Sequence, residues 1–204
     1  MNNYFKQGSL AVAVLATLNS GALAETPAPD ASALLTDTVI GALRQIVMDD
    51  VIQISVKAQN ARHASLDAAK IDELDKMWRA ETEATGKQPL IARTLSNPAS
   101  IFLLRKQAQA LGLYSEIFLM DDKGLNVGQS SVTSDYWQGD EDKWQKTFLK
   151  GGEAVFVDAP EWHEDSHTWR VQVNVSVADA ATGKPIGAVT FEMNLTELER
   201  RTRA

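Results

Sequence analysis

The chain has no cysteine among its 204 residues. A disulfide scaffold, a zinc ribbon, a thiol nucleophile and a redox pair are therefore all excluded. Basic residues are also in short supply, with 20 Lys and Arg against 27 Asp and Glu and a formal net charge of −7. A surface of that sign repels phosphate, so a general nucleic-acid binder is excluded as well. Proline and glycine are sparse, at 6 and 12, while 44% of residues are hydrophobic. That balance rules out collagen-like and disordered chains. There is no G-x-S-x-G elbow and no Gly-rich phosphate loop, and only His63, His163 and His167 are available as an imidazole base. The length suits one domain, two at most.

What is present begins with an export signal. Met1–Gln7 carries one charge, Lys6, and is followed by the apolar run Leu10–Leu18 and the small-residue site Ala22-Leu23-Ala24. This order predicts secretion with cleavage after Ala24. The run is well short of the ~20 residues of a spanning helix, so no membrane insertion is expected after cleavage. The mature chain is then Glu25–Ala204, with a linker over 25–30 and a single domain over 31–204. A bacterial periplasm is the expected compartment, and without disulfides the fold there rests on its core alone.

Helical spacing comes first along the mature chain. Apolar residues at Leu35, Val39, Leu43, Ile46, Val47 and Ile54 predict one long amphipathic helix from Ala31 to about Asn60. Ser65 caps a second predicted helix through about Ala84, which buries Leu66, Leu74, Met77 and Trp78. Asn97-Pro98 opens a third, with Ile101, Leu104, Ala108 and Leu111 on its apolar face and Gly112 at its end.

The period then changes to two. Leu113–Met120 and Leu125–Ser131 read as a hairpin around the turn Asp121-Asp122-Lys123-Gly124. Asp140 caps a short predicted helix holding Trp144 and Phe148. Glu153–Asp158 is a third strand. In Thr168–Val177 the apolar residues Trp169, Val171, Val173, Val175 and Val177 alternate with Arg170, Gln172, Asn174 and Ser176. A last strand carries Val189, Phe191, Met193 and Leu195, and a charged helix, Glu197–Arg203, closes the chain. Helices followed by a five-stranded antiparallel sheet make an α+β fold.

At this point a family resemblance enters. Asp121-Asp-Lys-Gly-Leu-Asn-Val127 with Ser134-Asp-Tyr-Trp-Gln-Gly139 resembles the central hairpin and pocket segment of extracytoplasmic Cache (PAS-like, PDC) sensor domains. Val177-Ala-Asp-Ala-Ala-Thr-Gly-Lys-Pro-Ile-Gly187 resembles their final hairpin, and the long N-terminal helix resembles their stalk. The likeness spans about Leu35 to Leu198. It implies a long helix packed on a five-stranded PAS-like sheet, a small-molecule ligand, and a signal passed to a partner. Members usually sit in receptors with membrane helices and an output domain. No later stretch of this chain is apolar enough to span a bilayer, so a stand-alone periplasmic form is expected. In amino-acid-binding members an Arg stands two positions ahead of a Trp-Tyr pair, and a later strand Asp holds the amine. Here Tyr136-Trp137 is reversed, Ser134 or Asp135 occupies the Arg position, and Asp158 matches the later carboxylate. The missing Arg points away from an ordinary amino acid and toward an amine or a neutral polar ligand.

The residues themselves offer three constellations. Asp135, Tyr136, Trp137, Asp140, Trp144, Asp158 and Trp162 combine aromatic bodies with carboxylates, which suits a small cationic or amine-bearing ligand. Arg170 belongs to the polar face shared with Gln172, Asn174, Ser176, Thr190, Glu192 and Asn194, which either lines a wet pocket or is a solvated strand face; solvation is the simpler reading. His163-Glu-Asp-Ser-His167 matches H-E-x-x-H, yet Pro160 and the Asp-Ser turn deny it the helix on which that spacing places two imidazoles at one metal. His163 and His167 are therefore read as part of a polar hairpin loop. The expectation is a sensor domain that is not an enzyme and needs no cofactor. Its partner is a receptor or a second copy docked on the N-terminal helix. A ligand-free interaction module of the same fold and a divergent metalloenzyme are the alternatives.

Overall fold

Three N-caps break up what the apolar spacing reads as one long helix. In the computed structural model, which describes residues 27–203, Asp30 caps α1 (Ala31–Leu34), Thr36 caps α2 (Asp37–Val47) and Asp49 caps α3 (Asp50–His63). Each cap accepts hydrogen bonds from N–H groups that no helical carbonyl reaches, and each sits in extended backbone, so the chain turns there. The breaks also reset the helical phase. Leu43, Val47, Ile52 and Val56 are buried, while Ile54, expected on the same stripe, is 67% exposed. The export-signal reading of residues 1–24 lies outside the described residues.

Helix α4 (Ala68–Glu83) starts from Asp67 and not Ser65, because the Asp67 carboxylate accepts the Lys70 N–H at 2.9 Å. Helix α5 (Pro89–Leu95), which the periodicity did not reveal, is too short for a repeat. It is held instead by the buried Glu81, whose carboxylate accepts the N–H groups of Leu90 and Ile91 at 2.8 and 2.9 Å. Helix α6 (Pro98–Gln109) begins on the Asn97 cap as predicted, but its buried face is not the predicted one. Ile101, Leu104, Ala108 and Leu111 are exposed, and Ala99, Ser100 and Leu103 are buried. The small residues face inward because Gly128 brings a strand directly beneath Ala99 and Ser100.

Six strands follow where five were expected: β1 (Tyr114–Met120), β2 (Asn126–Gln129), β3 (Val155–Val157), β4 (Glu161–His163), β5 (Thr168–Ala178) and β6 (Pro185–Asn194). Helix α7 (Asp142–Gln145) and a 3-10 turn at Phe148–Lys150 lie between β2 and β3, and α8 (Leu195–Thr202) follows β6. Glu141, and not the exposed Asp140, stands at the N-cap of α7. The antiparallel sheet has the order β2-β1-β6-β5-β3, and β4, the added strand, also pairs with β5. The fold is α+β.

One face of the sheet carries the main core. Ile117, Leu119, Val173, Val175, Val189 and Phe191 pack against Leu43, Val47, Ile52 and Val56 of the N-terminal helices and Leu103 of α6. The opposite face is covered too, by the segment containing α7 and the 3-10 turn, with Trp144 packed on Phe118, Met120 and Ala188. This cover overturns the solvated reading of the polar strand face. Asn174 and Thr190 have no exposed surface, and the Thr190 hydroxyl donates to Asn174 Oδ1 at 2.7 Å.

Candidate ligand-binding site

Antiparallel register sets the floor of the site. Glu116 on β1 pairs with Glu192 on β6, and Glu192 pairs with Gln172 on β5. The Asp158 N–H, just past β3, donates to the Gln172 carbonyl at 3.0 Å. Side chains alternate along a strand, so this transverse row and Arg170 share the face opposite the main core. Arg170 crosses diagonally from β5 to Glu192, with Nη1 3.0 Å from Oε2, and its Nη2 donates to the Ser166 hydroxyl at 3.2 Å. Above the floor, Lys143 of α7 pairs with Glu141 at 2.8 Å and stands 5.4 Å from the centre of the Phe118 ring. Trp162 of β4 borders the site in register with Trp169, edge-on to that ring at 5.6 Å, so its indole lies toward the core side of the sheet.

These groups enclose a cavity of about 230 Å³. Sites for drug-sized ligands begin near ~300 Å³, so this one suits a smaller molecule. Four carboxylates line it, Glu141, Asp158, Glu161 and Glu192, against the two cations Lys143 and Arg170. Both cations are already paired, whereas among the described residues neither Asp158 nor Glu161 forms an ion pair. Just behind Glu192, burial raises the pKa of Glu116. The charge of Glu192 adds to that effect, and the Ser131 hydroxyl, donating at 2.6 Å, opposes it.

Of the residues singled out from the sequence, Asp158, Trp162, His163, Arg170, Gln172 and Glu192 meet at this cavity. The others stand elsewhere, each with its polar atoms engaged or in solvent. Trp144 Nε1 donates to the Asp121 carbonyl at 3.1 Å while its ring stacks on Phe148. Trp137 Nε1 donates to the Lys123 carbonyl at 2.8 Å. Tyr136 is buried in a stack on Trp78, and burial pushes its phenol up to about 12. Asp135 pairs with Arg79, and Asp140 is exposed. Asp75 of α4 holds this stretch by accepting the N–H groups of Tyr136 and Trp137 at 2.9 and 3.0 Å.

Sequence reading missed Glu141, Lys143 and Glu161 as lining residues. Their only local signal is charge on short elements, which solvent exposure produces equally well. It also missed a second polar cluster, in which the fully buried Asp121 meets Gln59 and His63 of α3. The i, i+4 spacing of Gln59 and His63 on one helix face was the available clue.

The His163–His167 string forms the end of β4 and the turn into β5, with His163 Nδ1 2.9 Å from the Ser166 hydroxyl and His167 at φ 50°. The two imidazoles thus stand on a strand end and a left-handed turn residue, not on one helix face. Among the described residues no group of three or more His, Cys, Asp or Glu is arranged to hold a metal ion. None of the described helices is long and apolar enough to cross a membrane.

No family model matches the sequence, and no curated protein matches it. Among solved structures it is similar to the sensory domain of the Campylobacter jejuni chemoreceptor Tlp3, at 13% identity and a TM-score of 0.40, covering 83% of this chain and 65% of that one. It is similar to the ligand-binding domain of the Pseudomonas aeruginosa amino-acid chemoreceptor PctC in complex with GABA, at 12% identity and a TM-score of 0.36, covering 80% and 63%. It is similar also to the sensor domain of the Vibrio cholerae histidine kinase DctB, at 14% identity and a TM-score of 0.36, covering 73% and 58%. This chain thus spans less than two thirds of each of those structures.

Proposed function

We propose that this chain is an exported Cache-type sensor domain that binds a small amine or neutral polar molecule and passes its occupancy to a partner. The observation that carries this reading is the cavity over the outer sheet face, floored by the Arg170–Glu192 pair, bordered by Trp162 and edged by the exposed Asp158. Paired charges on the floor of a cavity this small orient a polar ligand, and the reading is of binding. The excess of carboxylates favours an amine over an acid. Export through residues 1–24 places the domain in the periplasm. The N-terminal helices, whose inner residues already cover the sheet, leave their outer sides for a receptor or a second copy.

The test is a thermal-shift screen of the purified chain against amines, amino acids, organic acids, nucleobases and polyols. A ligand at 100 times its Kd adds about 2.7 kcal/mol of stability and raises the melting temperature by several degrees. The expected result is a hit among the amines or neutral polar compounds that disappears in Trp162→Ala and in Asp158→Ala. A panel without any hit, or a hit indifferent to both substitutions, overturns the reading.

A further inference from the structure

Resting on the cavity as a ligand site, we infer that its ligand is a short amine that also carries a neutral oxygen acceptor, an amino alcohol or an amino amide. The argument starts from which charges are already spent. Glu192 holds Arg170, and Glu141 holds Lys143, each within 3.0 Å. A ligand carboxylate would have to displace one of these partners and would stand beside Asp158 and Glu161, two exposed carboxylates that form no ion pair among the described residues. That repulsion disfavours acids and zwitterions relative to amines. A ligand ammonium, by contrast, finds Asp158 at the cavity edge, a carboxylate that is exposed and holds only the Ala159 N–H, at 2.8 Å.

The other end of the ligand is set by Arg170. A guanidinium has five N–H donors. Glu192 and Ser166 take donors on Nη1 and Nη2, and the buried Nε meets no acceptor. The side chain retains 20% exposure and lines the cavity, so its fork has donors left for a ligand oxygen. Because the positive charge is already balanced by Glu192, that oxygen is best neutral, a hydroxyl or a carbonyl. Asp158 lies one strand over from Gln172, and Gln172 lies two residues along from Arg170. At the strand and residue spacings of a sheet, the Arg170 and Asp158 backbones are then roughly 8 Å apart. An amine and an oxygen joined by a short alkyl chain bridge that distance, with the chain over Gln172, which shares the outer face with Arg170.

The experiment uses the full chain and an isosteric series: 4-aminobutan-1-ol, 4-aminobutanamide, butylamine, butane-1,4-diamine, butane-1,4-diol and 4-aminobutyrate, each measured by calorimetry. The amino alcohol or the amino amide is expected to bind tighter than butylamine by about tenfold, the factor corresponding to roughly 1.4 kcal/mol. The diol and 4-aminobutyrate are expected to bind weakest. Arg170→Lys keeps a cation for Glu192 but removes the fork. It should reduce the amino alcohol to the affinity of butylamine and leave butylamine unchanged. Asp158→Asn should weaken every amine in the series. Tightest binding by 4-aminobutyrate or by the diamine, or a preference that survives Arg170→Lys, overturns the inference. So does a ligand of another class, found in the broad screen, that depends on Trp162 and Asp158, and in that case the site itself stands. Silence from both the series and the broad screen removes the site reading as well.

Discussion

His63, the last residue of α3, places its Nδ1 2.9 Å from Oδ2 of Asp121, a carboxylate with no exposed surface in the turn after β1. The same carboxylate accepts hydrogen bonds from Gln59 Nε2 at 3.0 Å and from the N–H groups of Lys123 and Leu125 at 2.9 Å. Asn60, between them on α3, accepts the Asp122 N–H at 3.1 Å and donates to the Ile186 carbonyl at 2.7 Å. The end of α3 is thereby fastened to both central strands. Asp121→Ala takes the acceptor from the Lys123 and Leu125 N–H groups and from His63, while Gln59 Nε2 keeps the Asn126 carbonyl at 3.1 Å, and should cost about 3–5 kcal/mol. His63→Ala removes one contact at a half-open position and should cost about 1 kcal/mol. Urea unfolding midpoints of the two variants measure the ratio.

Glu116 makes stability fall as pH rises. Burial raises its folded pKa above the ordinary 4.5, so over the range between those two values the folded state holds a proton that the unfolded state has released. Its contribution is most favourable below 4.5 and is lost as pH climbs through the raised value. Glu116→Gln retains an acceptor for the Ser131 hydroxyl and removes the titration. The variant should melt above the parent at pH 7, with the difference closing near pH 4, as read from melting curves across that range.

Gly128 lets α6 lie on β2. A Cβ there would stand 2.7 Å from the Ala99 Cβ and 2.9 Å from the Ser100 backbone nitrogen, neither of which has room to yield. The Ser100 hydroxyl, which accepts the Gln129 N–H at 2.8 Å, would be pushed away with the helix. Gly128→Ala should therefore destabilise by about 1–3 kcal/mol, measured by chemical denaturation.

The inward face of α6 can be tested by two neighbours of the same type. Leu103 has no exposed surface and Leu104 is 52% exposed. Leu103→Ala should cost about 2–5 kcal/mol. Leu104→Ala should stay within about 0.5 kcal/mol of the parent. Equal losses would show that both leucines are covered.

Tyr136 should be the last phenol to ionise. Its ring stacks on Trp78 at 5.3 Å, and burial holds its pKa at about 12. An alkaline absorbance titration should show a phase there that is missing from Tyr136→Phe, while the Trp78→Phe stack partner keeps it.

Local order was legible in the sequence wherever one residue or one period decides it. Asn97-Pro98 opens α6 because a cap and a ring-fixed φ act within a single turn. The alternation from Trp169 to Val177 marks β5 because successive side chains point to opposite faces whatever lies above them. The three-part division of the N-terminal helix was also written locally, in Thr36 and Asp49, but a continuous apolar spacing concealed it.

By itself, then, the sequence determined the class of fold, the helix-then-sheet order, the main hairpins, and the absence of thiol and phosphate-loop chemistry. Each of these follows from residue type and short-range period. The tertiary structure alone decided which faces are covered and which charges meet. The polar face of β5 and β6 is roofed by a segment that the alternation does not mention. Arg170 faces Glu192 from 22 residues away and His63 faces Asp121 from 58 away. Periodicity tells a side chain which way to point, but the partner it finds there depends on how distant strands register and pack.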